Sequence, residues 1–195
     1  MVSSEMKIET FFVRDDGQYF PNNDHLPVIV YRQVFEGKSL AASKWEELFK
    51  KNNFGHSWRD GIYNYHHYHS TAHEALGCYA GHARVRLGGD NESVRRDIEL
   101  NAGDCILIPT GVAHKNLGQD SQFGVVGAYD LDGKTYDMNY GKNANERHQA
   151  EENMKKVRQM FVVLFSSNFV MHQTCDNHLK IDKTLFVLRS VEVIT

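Results

Sequence analysis

Two histidines one residue apart, His67 and His69, sit inside a longer spaced pattern that constrains this chain more than anything else in it. The pattern reads Gly61-x5-His67-x-His69-x4-Glu74-x6-Gly81, followed by Gly103-x5-Pro109-x-Gly111-x2-His114. Alternate residues of an extended strand share a face. His67 and His69 therefore project together and can hold one ion, with Glu74 and His114 available to complete the set. Imidazoles combined with a carboxylate suit one divalent transition metal such as Fe, Mn, Ni or Zn, and suit Mg or Ca poorly. A single histidine in a half-buried strand is more often a hydrogen-bonded core or surface residue than a ligand, but these four stand in register. His66 alternates to the opposite face from His67, and His73 adjoins Glu74. Both read as outward groups, or as groups that orient a ligand.

The pattern around the motif is one of short apolar strands separated by turns. Phe11 to Val13 and Val28 to Val34 read as strands, with Pro21 and Asn22-Asn23 as a turn between them. After Ser39 a helical pattern places Ala41, Trp45, Leu48 and Phe49 on one face and ends near Asn52-Asn53. Strands are expected over about Gly61 to His69, Glu74 to Ala80, Ala83 to Leu87, Cys105 to Ile108 and Phe123 to Tyr129. Gly88-Gly89-Asp90-Asn91 reads as a hairpin turn. Pro109-Thr110-Gly111 is a second turn and presents His114 at the start of the next strand. His82 leads the alternation of Ala83, Val85 and Leu87 on the polar side and is expected to face water. Asn145 is placed to cap a helix bearing Ala150, Met154 and Val157. Many short strands with glycine-rich turns indicate a mainly β fold, an antiparallel sandwich or barrel with a few peripheral helices.

The two motif segments resemble the two motifs of the cupins. Every Gly, His, His, Glu and Gly position of the first is filled, and the second matches as far as its histidine. Cupins often carry an asparagine four residues later, where this chain has Gly118; Asn116 lies nearby but would point differently, so no role is carried over to it. Pro21-Asn22-Asn23, the Gly55 to Gly81 stretch and Val125-Val126-Gly127-Ala128-Tyr129 are similar to the YjlB-like cupins of bacteria and fungi, over about Met6 to Val157. The resemblance implies a cupin double-stranded β-helix, a jelly-roll-like antiparallel barrel of about six to eight strands. It also implies one metal at the open end of that barrel, and no established reaction. Residues 1–157 are expected to form the cupin domain and 158–195 a C-terminal extension.

No glycine or proline follows Gly141. Within that stretch Phe161 to Phe165 and Leu185 to Ile194 are β-prone apolar runs of the kind that need pairing or burial. They can add strands, cover an edge or mediate a homodimer. His172-x2-Cys175-x2-His178 imitates part of a zinc site but lacks a fourth ligand and a turn, so it reads as ordinary sequence. Cys78, Cys105 and Cys175 are too few and too odd in number for a disulfide framework. Cys78 and Cys105 fall in apolar strands and read as small buried hydrophobes.

The net charge of -3 supplies no basic field for nucleic acid or an anionic membrane. Met1 to Thr10 has neither a basic stretch nor an apolar run, and no segment has the apolar length of a membrane span. The reading is a cytoplasmic protein. No glycine-rich nucleotide loop or nucleophile elbow is present. Four protein ligands on a six-coordinate ion leave positions open for water, dioxygen or a chelating substrate. Tyr63 and Tyr65 share the face of His67 and His69 on a regular strand, as pocket walls, proton donors or simple core filling. The leading functional expectation is a metal-dependent enzyme on a small polar metabolite, an oxidoreductase using dioxygen or else an isomerase or lyase. The alternative is a metal-bound module that binds or senses a small molecule without chemistry. A storage-type structural cupin is a third class, and the complete ligand set counts against it.

Overall fold

The structure is a computed structural model that describes residues 6–36, 40–130 and 135–157 in full and the backbone of 170–173 and 179–182. Its contacts divide the chain into two units, Met1–Val157 and Arg158–Thr195. The larger contains the strands β1 (Lys7–Val13), β2 (Asn23–Arg32), β3 (Phe54–Asp60), β4 (Glu74–Ala80), β5 (His82–Leu87), β6 (Arg96–Asn101), β7 (Cys105–Ile108), β8 (His114–Gln119) and β9 (Gly124–Asp130). Its helices are α1 (Ala42–Lys51) and α2 (Ala144–Met154). In the smaller unit β10 (Val170–Gln173) pairs antiparallel with β11 (Leu179–Asp182). The apolar runs 161–165 and 185–194, and Cys175 and His178, lie outside the described residues. No helix among the described residues is long and apolar enough to cross a membrane.

All the strand pairings are antiparallel. In the larger unit they build a six-stranded sheet ordered β1-β2-β7-β4-β9-β3 and a three-stranded sheet ordered β6-β5-β8. The two sheets share one core. Val28, Val30, Leu76, Cys78, Ile106, Ile108 and Val125 from the large sheet pack with Ala83, Val85, Leu87 and Leu100 from the small one. The opposite face of the large sheet is covered by α1, whose apolar side is Ala42, Trp45 and Phe49. That double cover is why β9 is buried along its whole length rather than alternating. Gly77 makes room for the helix, since a Cβ there would overlap the Trp45 indole, and Trp45 Nε1 donates to Cys78 O at 3.1 Å.

Several expectations are corrected. The sheets do not close into a barrel. The segment Gly61 to His69, expected as a strand, makes only isolated bridges, His67 with His114 and Tyr68 with Asn139. It bends at Asn64-Tyr65 and so cannot form a ladder across the opening. The turn after Leu87 is no tight hairpin, because β6 does not begin until Arg96. Ala41 is the exposed residue before α1, and Ala42 occupies the buried position. Asn143, not Asn145, caps α2, its side chain accepting from the backbone N–H groups of Asn145 and Glu146. Val157 lies beyond the end of that helix.

Two strands of the larger unit went unread in the sequence. In β3 a bulge between Gly55 and Trp58, with His56 at a φ of 51°, breaks the alternation. β6 is an edge strand with few apolar residues, Arg-Asp-Ile-Glu-Leu-Asn.

A candidate metal centre

Glu74 opens β4 and shares the inward face of Leu76 and Cys78, so its carboxylate points into the space between the sheets, where it is 2% exposed. His114 opens β8 in the other sheet and is equally enclosed. His67 lies directly opposite His114. His67 N donates to His114 O at 3.2 Å, and His114 N donates to His67 O at 2.9 Å. His69 follows on the same segment, with ring centroids 5.7 Å from His67 and 6.1 Å from His114. One ligand atom from each of His67, His69, Glu74 and His114 lies within 4.8 Å of the others, and all four residues are buried.

The orientation of the imidazoles decides what this cluster can hold. Each Nδ1 faces a backbone carbonyl: His67 faces Tyr65 O at 3.4 Å, His114 faces Val112 O at 3.3 Å, and His69 faces Asp137 O in a short contact. A carbonyl can only accept, so a neutral ring carries its proton on Nδ1 and turns a bare Nε2 lone pair inward. His114 Nε2 lies 3.1 Å from Glu74 Oε2, and His69 Nε2 lies 3.6 Å from it. His69 Nε2 and Glu74 Oε2 are buried without a hydrogen-bond partner. Converging lone pairs around an enclosed carboxylate repel one another unless a cation sits among them.

Electrostatics agrees. Burial, reinforced by His114, pushes His67 down to about 3, which keeps it neutral. Burial alone would also lower His69, but the Glu74 carboxylate outweighs it and raises that ring. Burial likewise opposes charge on Glu74, and the His69 and His114 rings overcome it to hold the carboxyl well below its usual range. Glu74 and His69 thus each favour the charged form of the other. The same preference for positive charge beside Glu74 would be met by a divalent ion among these four side chains.

The other sequence candidates fall as follows. His66 points away from the cluster, against the Phe20 ring, with Nε2 3.2 Å from Asp90. His73 is buried rather than outward, and its Nδ1 accepts from Thr110 N at 2.9 Å, which ties it to the turn before His114. His82 faces water and pairs with Asp120 at 2.8 Å. Cys78 is a core residue whose thiol burial pushes up to about 12. Asn116 turns its side chain to Gly118 N and Gln119 and stays out of the cluster. Tyr63 and Tyr65 stack on each other with centroids 4.9 Å apart and stand edge-on to His67; both are half-exposed, so neither fills the core.

Three contributors were not legible in the sequence. Tyr129 and Tyr136 stack at 3.9 Å and present themselves to His69. Burial, then the charge of Glu74, raise the Tyr129 hydroxyl far above its ordinary value, so it stays a proton donor. Asp137 holds the base of the site. Its carbonyl meets His69, and its carboxylate accepts from Ser70 N at 2.6 Å, Thr71 N at 3.2 Å, Asn139 Nδ2 at 2.8 Å and the Ser70 hydroxyl. No short-range pattern announces a partnership between residues so far apart in sequence.

Removing the Asp137 carboxylate leaves the buried Ser70 N–H without its acceptor. Asp137→Ala is therefore expected to destabilise the protein by about 2 kcal/mol, and Asp137→Asn by less because it keeps an acceptor oxygen. Urea unfolding measures both, and an Asp137→Ala midpoint equal to the parent's would contradict this role.

Comparison with known proteins places this chain in a family. No protein-family model matches the chain. The fold is similar to an 11S allergen of Cocos nucifera at 20% identity, covering 50% of this chain and 31% of that one with a TM-score of 0.36. It is also similar to the epimerase RmlC of Legionella pneumophila at 13% identity, covering 63% of this chain and 71% of that one with a TM-score of 0.36. The chain thus spans less than a third of the coconut protein. Against a protein named YjlB of Bacillus subtilis (strain 168), itself described as uncharacterized, identity is 36% over 152 residues, covering 78% of this chain and 86% of that protein. With that match over a segment that includes both histidine motifs, the chain belongs to the YjlB-like cupins.

Proposed function

We propose that His67, His69, Glu74 and His114 bind one divalent transition metal, and that the protein is a metal-dependent enzyme acting on a small oxygen-bearing metabolite. The observation that carries this reading is the donor-poor cluster itself: inward Nε2 atoms and an enclosed carboxylate oxygen with no hydrogen-bond partner on Glu74 Oε2 or His69 Nε2. A structural core would have filled that space with apolar groups at lower cost, because enclosing an ionised carboxylate costs several kcal/mol even where imidazoles border it.

When bound, such an ion supplies Lewis-acid chemistry, or redox chemistry if the ion is iron or manganese. The chain's own residues would do the rest. The carbonyls of Tyr65, Val112 and Asp137 fix the three rings so that each offers Nε2. Glu74 neutralises one of the ion's charges. Tyr129 keeps a hydroxyl proton beside Glu74, within the walls of the site. A four-residue set leaves coordination positions open for an exogenous ligand, which serves oxidation by dioxygen, isomerisation and elimination alike.

Protein purified without added metal should carry about one transition metal per chain by elemental analysis. His67→Ala, His69→Ala and His114→Ala are each expected to lose most of it, whereas His66→Ala keeps it because that ring faces Phe20 and Asp90. Retention in His67→Ala with loss in His66→Ala would contradict the assignment. An oxygen-electrode screen of small chelating metabolites reads the catalytic half. Uptake that needs both metal and metabolite supports an oxygenase, and tight binding without turnover of any kind would assign the site to a binding or sensing module instead.

A further inference from the structure

Four tyrosines stand half in water around the cluster: Tyr63 is 50% exposed, Tyr65 44%, Tyr136 42% and Tyr140 37%. They are organised rather than scattered. Tyr63 and Tyr65 lie nearly parallel, 17° apart, and set their rings edge-on to His67 at 5.3 and 6.0 Å. Tyr140 leans on Tyr65 with centroids 5.9 Å apart. On the other side Tyr136 lies parallel to Tyr129 within 15°, and this pair addresses His69 at 5.5 and 5.0 Å. Two aromatic stacks thus border the two imidazoles whose rings are 5.7 Å apart. Aromatic area left in water beside a buried polar cluster is area that a ligand can cover.

Charge selects among the ligands that aromatic faces accept. A divalent ion held by three neutral imidazoles and one carboxylate leaves the site with net positive charge, which repels a cation and attracts an oxygen anion. The Tyr140 face is moreover already occupied by a cation of the chain itself, with Lys142 Nζ 4.6 Å from the ring centroid. What remains is a planar ring, which extends a parallel stack, joined to a head group that reaches the ion.

We propose that the ligand of this site is a small planar aromatic compound carrying two adjacent oxygens, which chelate the ion while the ring lies against the tyrosine stacks. This rests on the metal-site reading above and narrows the metabolite to a class. Two hydroxamates share one chelating head and differ in the body: benzohydroxamate has a phenyl ring and acetohydroxamate a methyl group. Titrated into metal-loaded protein by calorimetry, benzohydroxamate is expected to bind about tenfold tighter, the scale of one aromatic contact with its buried area. Tyr63→Ala and Tyr65→Ala, at exposed positions where folding is not at stake, are expected to remove most of that preference while affinity for acetohydroxamate and metal content hold.

Equal affinities for the two hydroxamates, or a preference that both tyrosine variants keep, would overturn the aromatic proposal and leave the metal site standing. Binding of neither hydroxamate by protein with a full complement of metal would overturn it as well. A chain that takes up no metal would fail earlier, at the metal-site reading. If these tyrosines instead seat a second copy of the chain, sedimentation would show a concentration-dependent dimer that Tyr63→Ala dissociates, with no discrimination between hydroxamates, and that result also overturns the proposal.

Discussion

An ionised carboxylate enclosed between two sheets is the constraint around which this fold is arranged. Glu74 enters from the large sheet, His114 from the small one, and His67 and His69 from the irregular segment between β3 and β4. Bringing a carboxylate out of water is costly, and neutral imidazoles with their protons turned outward do not repay that cost. The arrangement makes physical sense as a cation cage. Glu74 and His69 accordingly shift each other toward their charged forms.

The surroundings keep those atoms in place. Asn22, fully buried and at a φ of 47°, donates to Arg14 O and Gly88 O and accepts from Ala113 N, which fixes the residue before His114. Asn23 donates to Thr110 O, and the turn containing Thr110 is bonded in its own right to the carbonyl of His69. Gly111 N reaches the same carbonyl at 2.8 Å. Asp137 closes the other side beneath Ser70 and Thr71. The segment that carries His67 and His69 has almost no strand ladder of its own, so these side-chain bonds substitute for one. Irregular backbone stays fixed only where such partners take up its polar groups.

Much of this was legible in the chain. The convergence of His67, His69, Glu74 and His114 was readable because fixed spacing survives as a local signal, and the mainly β architecture because apolar alternation and glycine turns recur. The same period-two reasoning misjudged Gly61 to His69: His67 and His69 do reach one site, but from a bent segment rather than a strand. It was also blind to β3, where the bulge after Gly55 disrupts alternation, and to β6, whose polar edge gives little hydrophobic pattern. The supports at Asp137, Tyr129 and Tyr136 are contacts between residues distant in sequence, and Asn22-Asn23, read simply as a turn, proved to be a long-range bridge. Closure into a barrel failed as an expectation together with the strand over Gly61 to His69 and the tight hairpin after Leu87.

X-ray absorption at the edge of the bound metal tests the central claim most directly, because it reports the donor atoms rather than the presence of metal alone. The account predicts a first shell of nitrogen and oxygen only, with the outer-shell scattering of about three imidazoles. A sulfur scatterer would contradict it, since Cys78 and Cys105 are buried away from the cluster. So would a shell of oxygens without imidazole.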